Sequence, residues 1–229
     1  MNDRKAGDDH RKVVIFGNML SASLAWYCLK HDSPFEVAAF TVDAAYLDSD
    51  SFEGLPIVPF ETVMDDYPPN DFRMLIPVGY HQANGLRRSR YEAAMAMGYD
   101  FVSYVSSRAS IWPDLHIGKN VLIYEHAIIQ PFAKIGDNTI IRSGSHISHH
   151  CEIGDHCFIA PQIAMGGECR VEEQSFLGVG CVVRDRITIG KRGFIGAGSV
   201  VTRNTEPDGA YIGNPARKLE KTSLEVSGG

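Results

Sequence analysis

The sequence predicts two folds in series: a small α/β domain with a parallel sheet, then a parallel β-helix. Two observations carry this. Over 111–206 an apolar residue opens every block of six, for sixteen consecutive blocks without an insertion. Before that, over 13–106, extended apolar runs alternate with helical stretches, the pattern of a parallel α/β sheet.

The first part reads in order. Residues 1–12 form a charged arm without an apolar core, so they are not a signal peptide. A buried strand over 13–16 leads into Gly17-Asn18. A helix over 19–31 carries Leu20, Leu24, Tyr27 and Cys28, and Pro34 breaks the chain after it. A second strand over 35–42 ends at Asp43. A short extended piece covers 55–60, and a short helix over 61–67 is stopped by Pro68-Pro69. A third strand spans 73–78. A helix over 84–97 is closed by Gly98, and a last strand spans 101–105. Residues 106–110 are the boundary into the repeat.

Gly17 follows the first strand and precedes a helix, where α/β domains bind phosphates. The stretch Gly17-Asn18-Met19-Leu20-Ser21 has only the first glycine of a dinucleotide fingerprint, which argues against NAD. A plain strand-to-helix turn and a ligand loop both fit it.

A period of six matches neither a helix nor a half-buried strand. It fits the coils of a β-helix, which bury an apolar face only by stacking. Each block makes one flat face. Its first residue, such as Ile141, Ile147 or Ile153, fills the interior. Its fifth is mostly small, as at Ala127, Ser145 and Cys151. Its second is often glycine, as at Gly118, Gly154 and Gly178, which is expected to supply the backbone conformation of the turn. After 206 the Pro- and Gly-containing stretch ends the solenoid. The extension over 207–229 finishes in a polar tail expected to be disordered.

Composition excludes several classes. The chain of 229 residues carries a net charge of −6 and no basic stripe, which argues against nucleic acid as a partner. No run of about 18 apolar residues is present, so no membrane span is expected, and the protein is expected to be cytoplasmic. Cys151, Cys157, Cys169 and Cys181 all occupy the small fifth position and read as core residues. Of the nine histidines, His146, His149, His150 and His156 cluster, but no two histidines are 18 apart. No metal site is expected.

The small α/β domain, the β-helix and the Gly213-Asn214-Pro215-Ala216-Arg217 end together resemble the sialic acid O-acetyltransferase-like family. Those are hexapeptide-repeat acyltransferases, among them acetyl-CoA-dependent N-acetyltransferases of nucleotide-linked amino sugars. The resemblance covers about residues 13–219. It implies a left-handed β-helix with three blocks per coil, and a homotrimer with acetyl-CoA between neighbouring β-helices. It also implies an N-terminal domain that holds the nucleotide of the sugar.

The family's motif for its general base reads here His149-His150-Cys151-Glu152-Ile153-Gly154, which places the base at His149. His149 stands third in its block, as does Gly167 eighteen residues on; Pro161, Val179 and Ala197 form a second such column. The resemblance puts Gly167 by the acetyl carbonyl and Val179 and Ala197 along the pantetheine arm. It puts Gly17, Asn18, Asp43, Arg142 and His150 on the sugar nucleotide. The chain departs from the family at three places near the acceptor. His150 replaces an acidic residue, Arg142 an asparagine and Phe158 a second histidine. The glycine-rich first loop is also absent. The expected reaction is acetyl transfer from acetyl-CoA to a sugar amine. The alternatives are O-acetylation of a sugar, and a trimeric scaffold without catalysis.

Overall fold

The computed structural model describes residues 11–228. The chain divides into two compact units, residues 1–78 with 92–102 and residues 79–91 with 103–229. The arm expected over 1–12 lies outside the described residues except for Arg11 and Lys12, and Lys12 already belongs to the first strand.

The first unit is a six-stranded sheet. It comprises β1 (Lys12–Phe16), α1 (Leu20–Asp32), β2 (Val37–Val42), β3 (Ser51–Phe52), β4 (Leu55–Pro59), α2 (Val63–Asp66), β5 (Phe72–Leu75), the end of α3 (Gly85–Ala96) and β6 (Asp100–Phe101). The strand order is β3-β4-β2-β1-β5-β6. β1 lies at the centre because Val13, Val14, Ile15 and Phe16 are all buried, as a strand covered on both faces requires. It pairs in parallel with β2 and β5. In α1 the buried residues Ala22, Ala25 and Leu29 recur at helical spacing. The extended piece expected over 55–60 is one arm of a hairpin, turned at Gly54, which has φ +77.

The strand expected over 101–105 is two strands. Asp100–Phe101 pairs with β5, whereas Tyr104–Val105 pairs with Leu122–Ile123 of the solenoid. Ser103 makes the break: its hydroxyl donates to Gly118 O and accepts from Val121 N. The solenoid therefore begins one block earlier than the repeat starting at Ile111.

The second unit is the β-helix, with three parallel faces of two-residue strands. The first face runs through Leu122–Ile123, Ile140–Ile141, Phe158–Ile159, Phe176–Leu177 and Phe194–Ile195. The second runs through Ile128–Ile129, His146–Ile147, Ala164–Met165, Val182–Val183 and Val200–Val201. The third runs through His116–Ile117, Lys134–Ile135, Glu152–Ile153, Arg170–Val171 and Thr188–Ile189. Rungs pair with those 18 residues on, as in Ile129↔Ile147 and Ile153↔Val171, so three blocks make one coil; the last pairing of the first face, Phe194↔Ala210, spans 16. The first residues of the blocks form one continuous buried core, and the coil is left-handed.

The small fifth residue has a second role that its size hides. Its hydroxyl or thiol donates to a carbonyl 15 residues on. Ser145 Oγ reaches Ala160 O at 3.0 Å, Cys151 Sγ reaches Gly166 O at 3.2 Å and Cys169 Sγ reaches Arg184 O at 3.0 Å. The polar group is thus satisfied inside the core. All four solenoid cysteines are buried and free.

The glycines act differently from the expectation. The residue with positive φ is the fourth of a block and is mostly not glycine: Asn120, His126, Asn138, His150, His156, Glu168 and Arg186 all adopt it. The second-position glycines have no positive φ. They are glycine because the next coil approaches too closely. A Cβ on Gly178 would fall 2.6 Å from the Ala197 nitrogen and 2.7 Å from Ile195 O.

Residues 79–91 cover the first face. Arg87 is fully buried and donates from Nε to Asn138 O at 3.0 Å, and from Nη2 to His156 O at 2.7 Å and Cys157 O at 3.0 Å. Its charge is thereby spread over main-chain carbonyls. The tail expected to be disordered is ordered to residue 228. Gly209–Ile212 and Arg217–Thr222 form an antiparallel pair, and Ser223–Ser227 is a helix with a Thr222/Glu225 capping box. Ser227 Oγ accepts the Ala83 amide at 2.8 Å, which ties the tail down.

Two substitutions separate the two glycine roles. Gly178→Ala is expected to lower stability by about 1–3 kcal/mol because backbone must move. Gly198 has φ +66 and open space around its Cβ position, at a place where Gln162 also stands. Gly198→Asn is expected to stay within about 0.5 kcal/mol. Thermal melts of the two variants check this.

Candidate active site

The corners of the β-helix leave the third amide of each block without a main-chain partner. Where the third face meets the first, carboxylates close these amides: Lys119 N donates to Asp137 Oδ1 at 2.8 Å and Asp137 N to Asp155 Oδ1 at 2.7 Å. At the other two corners the row is different. The amides of Gly167, Val179 and Ala197 have no partner among the described residues. Val179 is 50% exposed and Ala197 is exposed. Free backbone donors beside small side chains can hold a carbonyl or an amide of a ligand.

His149 lies at the corner between the second and third faces, with its side chain exposed. Its amide donates to Gln130 Oε1 at 3.0 Å. The imidazole rests over Gly167, one coil on: a Cβ there would fall 2.6 Å from His149 Cε1 and 2.8 Å from Nε2. Only glycine leaves room for the ring. The spacing of 18 between the two residues is therefore a contact, with a candidate base directly beside a free amide. His149 Nδ1 is 3.1 Å from His150 Nδ1. His150 stacks in turn on Phe132, with ring centroids 4.6 Å apart.

Val179 and Ala197 stand at the corner between the first and second faces. One chain thus gathers His149 with Gly167 and, separately, Val179 with Ala197. Arg142 lies at that second corner, 4.3 Å over the Tyr124 ring. Beside it the Ser143 hydroxyl donates to Glu125 at 2.7 Å. That bond, with help from Arg108 and Arg142, holds the Glu125 carboxyl below its ordinary range. Phe158 belongs to the first face, in an aromatic column with Phe176 and Phe194 under Tyr80.

In the first unit, Gly17, Asn18 and Asp43 come together at the C-terminal ends of β1 and β2, the edge where open α/β sheets take ligands. Gly17 has φ +117 and donates to Thr41 O at 2.7 Å. A side chain would be strained there. Asn18 Nδ2 donates to Tyr46 O at 2.9 Å, and Asp43 precedes the turn that carries Tyr46. Met19, Leu20 and Tyr46 are exposed at this edge. Met19 and Leu20 belong to the stretch that fits a turn or a ligand loop in the sequence, whereas Tyr46 lies in a segment without a motif and was not singled out.

Sequence reading also passed over Gln130 and Phe132. Gln130 carried a faint signal, since it stands where glycine is common; Phe132 carried none, and the structure shows it 65% exposed with φ +67, rare for a bulky residue. Among the described residues, no group of three or more His, Cys, Asp or Glu could hold a metal ion, and no helix is long and apolar enough to cross a membrane.

Comparison with known proteins follows the same lines. The model of the GMPPB C-terminal domain matches residues 102–210. No curated protein matches the chain. Among solved structures, a histidine-to-asparagine variant of perosamine N-acetyltransferase from Caulobacter crescentus, with CoA and GDP-perosamine, is similar at 27% identity and TM-score 0.84. The match covers 92% of this chain and 97% of that one. PerB from Caulobacter crescentus, with the same two ligands, matches at 28% identity and TM-score 0.82, covering 91% and 97%. The acetyltransferase domain of PglB from Neisseria gonorrhoeae, with acetyl coenzyme A, matches in fold at 22% identity and TM-score 0.80, covering 91% and 99%. With its unbroken hexads, its three parallel faces and this likeness over nearly its whole length, the chain has the left-handed β-helix fold and is similar to hexapeptide-repeat acetyltransferases.

Proposed function

We propose that the protein transfers an acetyl group from acetyl-CoA to an amine of a nucleotide-linked amino sugar, with His149 as general base. The observation that carries this reading is the His149 imidazole seated on Gly167, beside that residue's free amide. Two structures that match over nearly the whole chain at 27% and 28% identity hold CoA and GDP-perosamine, which supports the two substrates.

The chemistry follows from the parts. The amine lone pair forms the C–N bond to the thioester carbon, and the carbonyl π pair moves onto oxygen. The Gly167 N–H is the donor that meets this developing charge. The proton that leaves nitrogen goes to the free ring nitrogen of His149. The C–S bond breaks as the carbonyl re-forms, and CoA departs as the thiolate, which recovers the proton. The Val179 and Ala197 amides suit the amide groups of the pantetheine arm. Gly17, Asn18 and Asp43 suit the nucleotide.

One chain keeps its two amide rows on opposite edges of the second face. A shared groove between copies joins them, so the active form is a homotrimer with cyclic symmetry. The exposed Ile128 and Val182 of the second face suit that contact.

Three measurements test this. A thiol-release assay with acetyl-CoA and a panel of nucleotide amino sugars should show turnover that falls by about 10²–10⁴-fold in His149→Asn. CoA affinity should be nearly unchanged, and Gly167→Ala should fall in the same direction because its methyl displaces the imidazole. Ala197→Phe should abolish acetyl-CoA binding in calorimetry without changing the melting temperature. Light scattering should give three chains per particle; a stable monomer at micromolar concentration overturns the shared groove.

A further inference from the structure

The partner of His149 is another imidazole. The two Nδ1 atoms are 3.1 Å apart, with the ring planes at 83°. The main chain of both histidines is held from behind. The His149 amide is fixed by Gln130 Oε1, and the His150 amide donates to Pro131 O at 3.3 Å. The His150 ring lies against Phe132. We propose that His150 is a positioning residue that sets the tautomer of His149, so that the two histidines work as one proton-sharing dyad. The proposal rests on the reading of His149 as the base.

Only one proton fits between two facing Nδ1 atoms. In the neutral dyad it sits on one ring or the other. If His149 donates its Nδ1–H, its Nε2 keeps a free lone pair and can take the proton of the attacking amine. If His150 donates instead, His149 carries its hydrogen on Nε2 and is no base. When His149 Nε2 accepts the amine proton, the dyad becomes a cation with a hydrogen on both Nε2 atoms and one proton still between the Nδ1 atoms. That proton can cross to His150, so the positive charge spreads over both rings. A second added proton would require breaking the Nδ1–Nδ1 bond.

The groups that face the dyad are few. The preceding coil offers the Gln130 amide and the Phe132 ring. The following coil offers Gly167 and Glu168, and Arg186 engages the Glu168 carboxylate at 3.2 Å.

The solenoid itself supplies the test. His150, Glu168 and Arg186 occupy the same corner place on successive coils, with φ of 58, 60 and 59. The place thus accepts glutamate and arginine without loss of fold. Glutamate at 150 can only accept from His149 Nδ1, which locks the active tautomer and favours the cation. Arginine can only donate, which locks the inactive one.

His150→Glu is expected to keep kcat/KM within a few-fold and to move the acid limb of its pH profile up by about one pH unit. His150→Arg is expected to lower kcat/KM by about 10²-fold or more across the profile. Melting temperatures of both variants establish that the fold is kept. If the two variants share one rate and one profile, His150 only packs and the proposal is overturned. An independent readout uses ¹⁵N-histidine NMR of the unliganded protein with both rings neutral. His149 with hydrogen on Nδ1 supports the proposal, and His149 with hydrogen on Nε2 overturns it. This readout needs no substrate, so a failure of the acetyl-transfer reading in the thiol-release assay remains distinct from a failure of the dyad.

Discussion

The pairing of each residue with the one 18 positions on is the constraint from which the rest of this structure follows. Two-residue strands are far too short to hold a sheet by themselves. They persist because each inner rung hydrogen-bonds to a rung before and a rung after, as Gln130 N does to Ile147 O at 3.0 Å and Arg142 N to Ile159 O at 2.9 Å. In-register stacking then brings like residues together: isoleucine on isoleucine inside, phenylalanine on phenylalanine outside, thiol over carbonyl at the corners. Each of these columns is a local contact between coils, although the partners stand 15 or 18 residues apart in sequence.

The same constraint builds the site. A corner must turn the chain, and in turning it takes one amide per block out of the ladder. At one corner aspartates close those amides and the surface is finished. At the other two corners Gly167, Val179 and Ala197 put nothing in their place. The difference between a closed corner and an open one is therefore a difference of side chains on one shared backbone, and the His149 ring lies where a glycine on the neighbouring coil leaves room for it.

Much of this was legible in the sequence. The period of six was visible because each first residue must be apolar. The fifth-position cysteines read correctly as core because their size is restricted. His149 was singled out by its motif and by its distance of one coil from Gly167, a spacing that the structure turns into a contact. Other features were hidden because they are contacts rather than patterns. The glycines at 118, 154 and 178 suggested unusual backbone angles, whereas the crowding comes from the coil above, which a linear reading cannot see. The positive φ falls on histidines, asparagines and glutamates, residue types that do not announce it as glycine does. The polar composition of 218–229 suggested a disordered end, yet a short antiparallel strand and a capped helical turn need few apolar residues when Ser227 is bonded to Ala83. The break at Ser103 was lost inside a run that looks like one strand. The first unit was read well at β1, whose four buried residues are consecutive, and least well at β3 and β4, where a tight hairpin leaves only a short signal.

Because residues at the same place recur every 18 positions, the β-helix is also a ruler. Each coil advances the axis by one strand spacing, about 4.8 Å. The axial offset between His149 and the amides at Val179 and Ala197 is thus set by counting coils. Loss or gain of one whole coil between them would leave the core columns aligned and change that reach by a single graduation. Loss of any length that is not a multiple of six would turn the apolar column out of the interior. The length of arm that such a scaffold can measure is accordingly adjustable only in whole steps, and the acyl carrier it fits is selected by arithmetic on the repeat as much as by the residues that touch it.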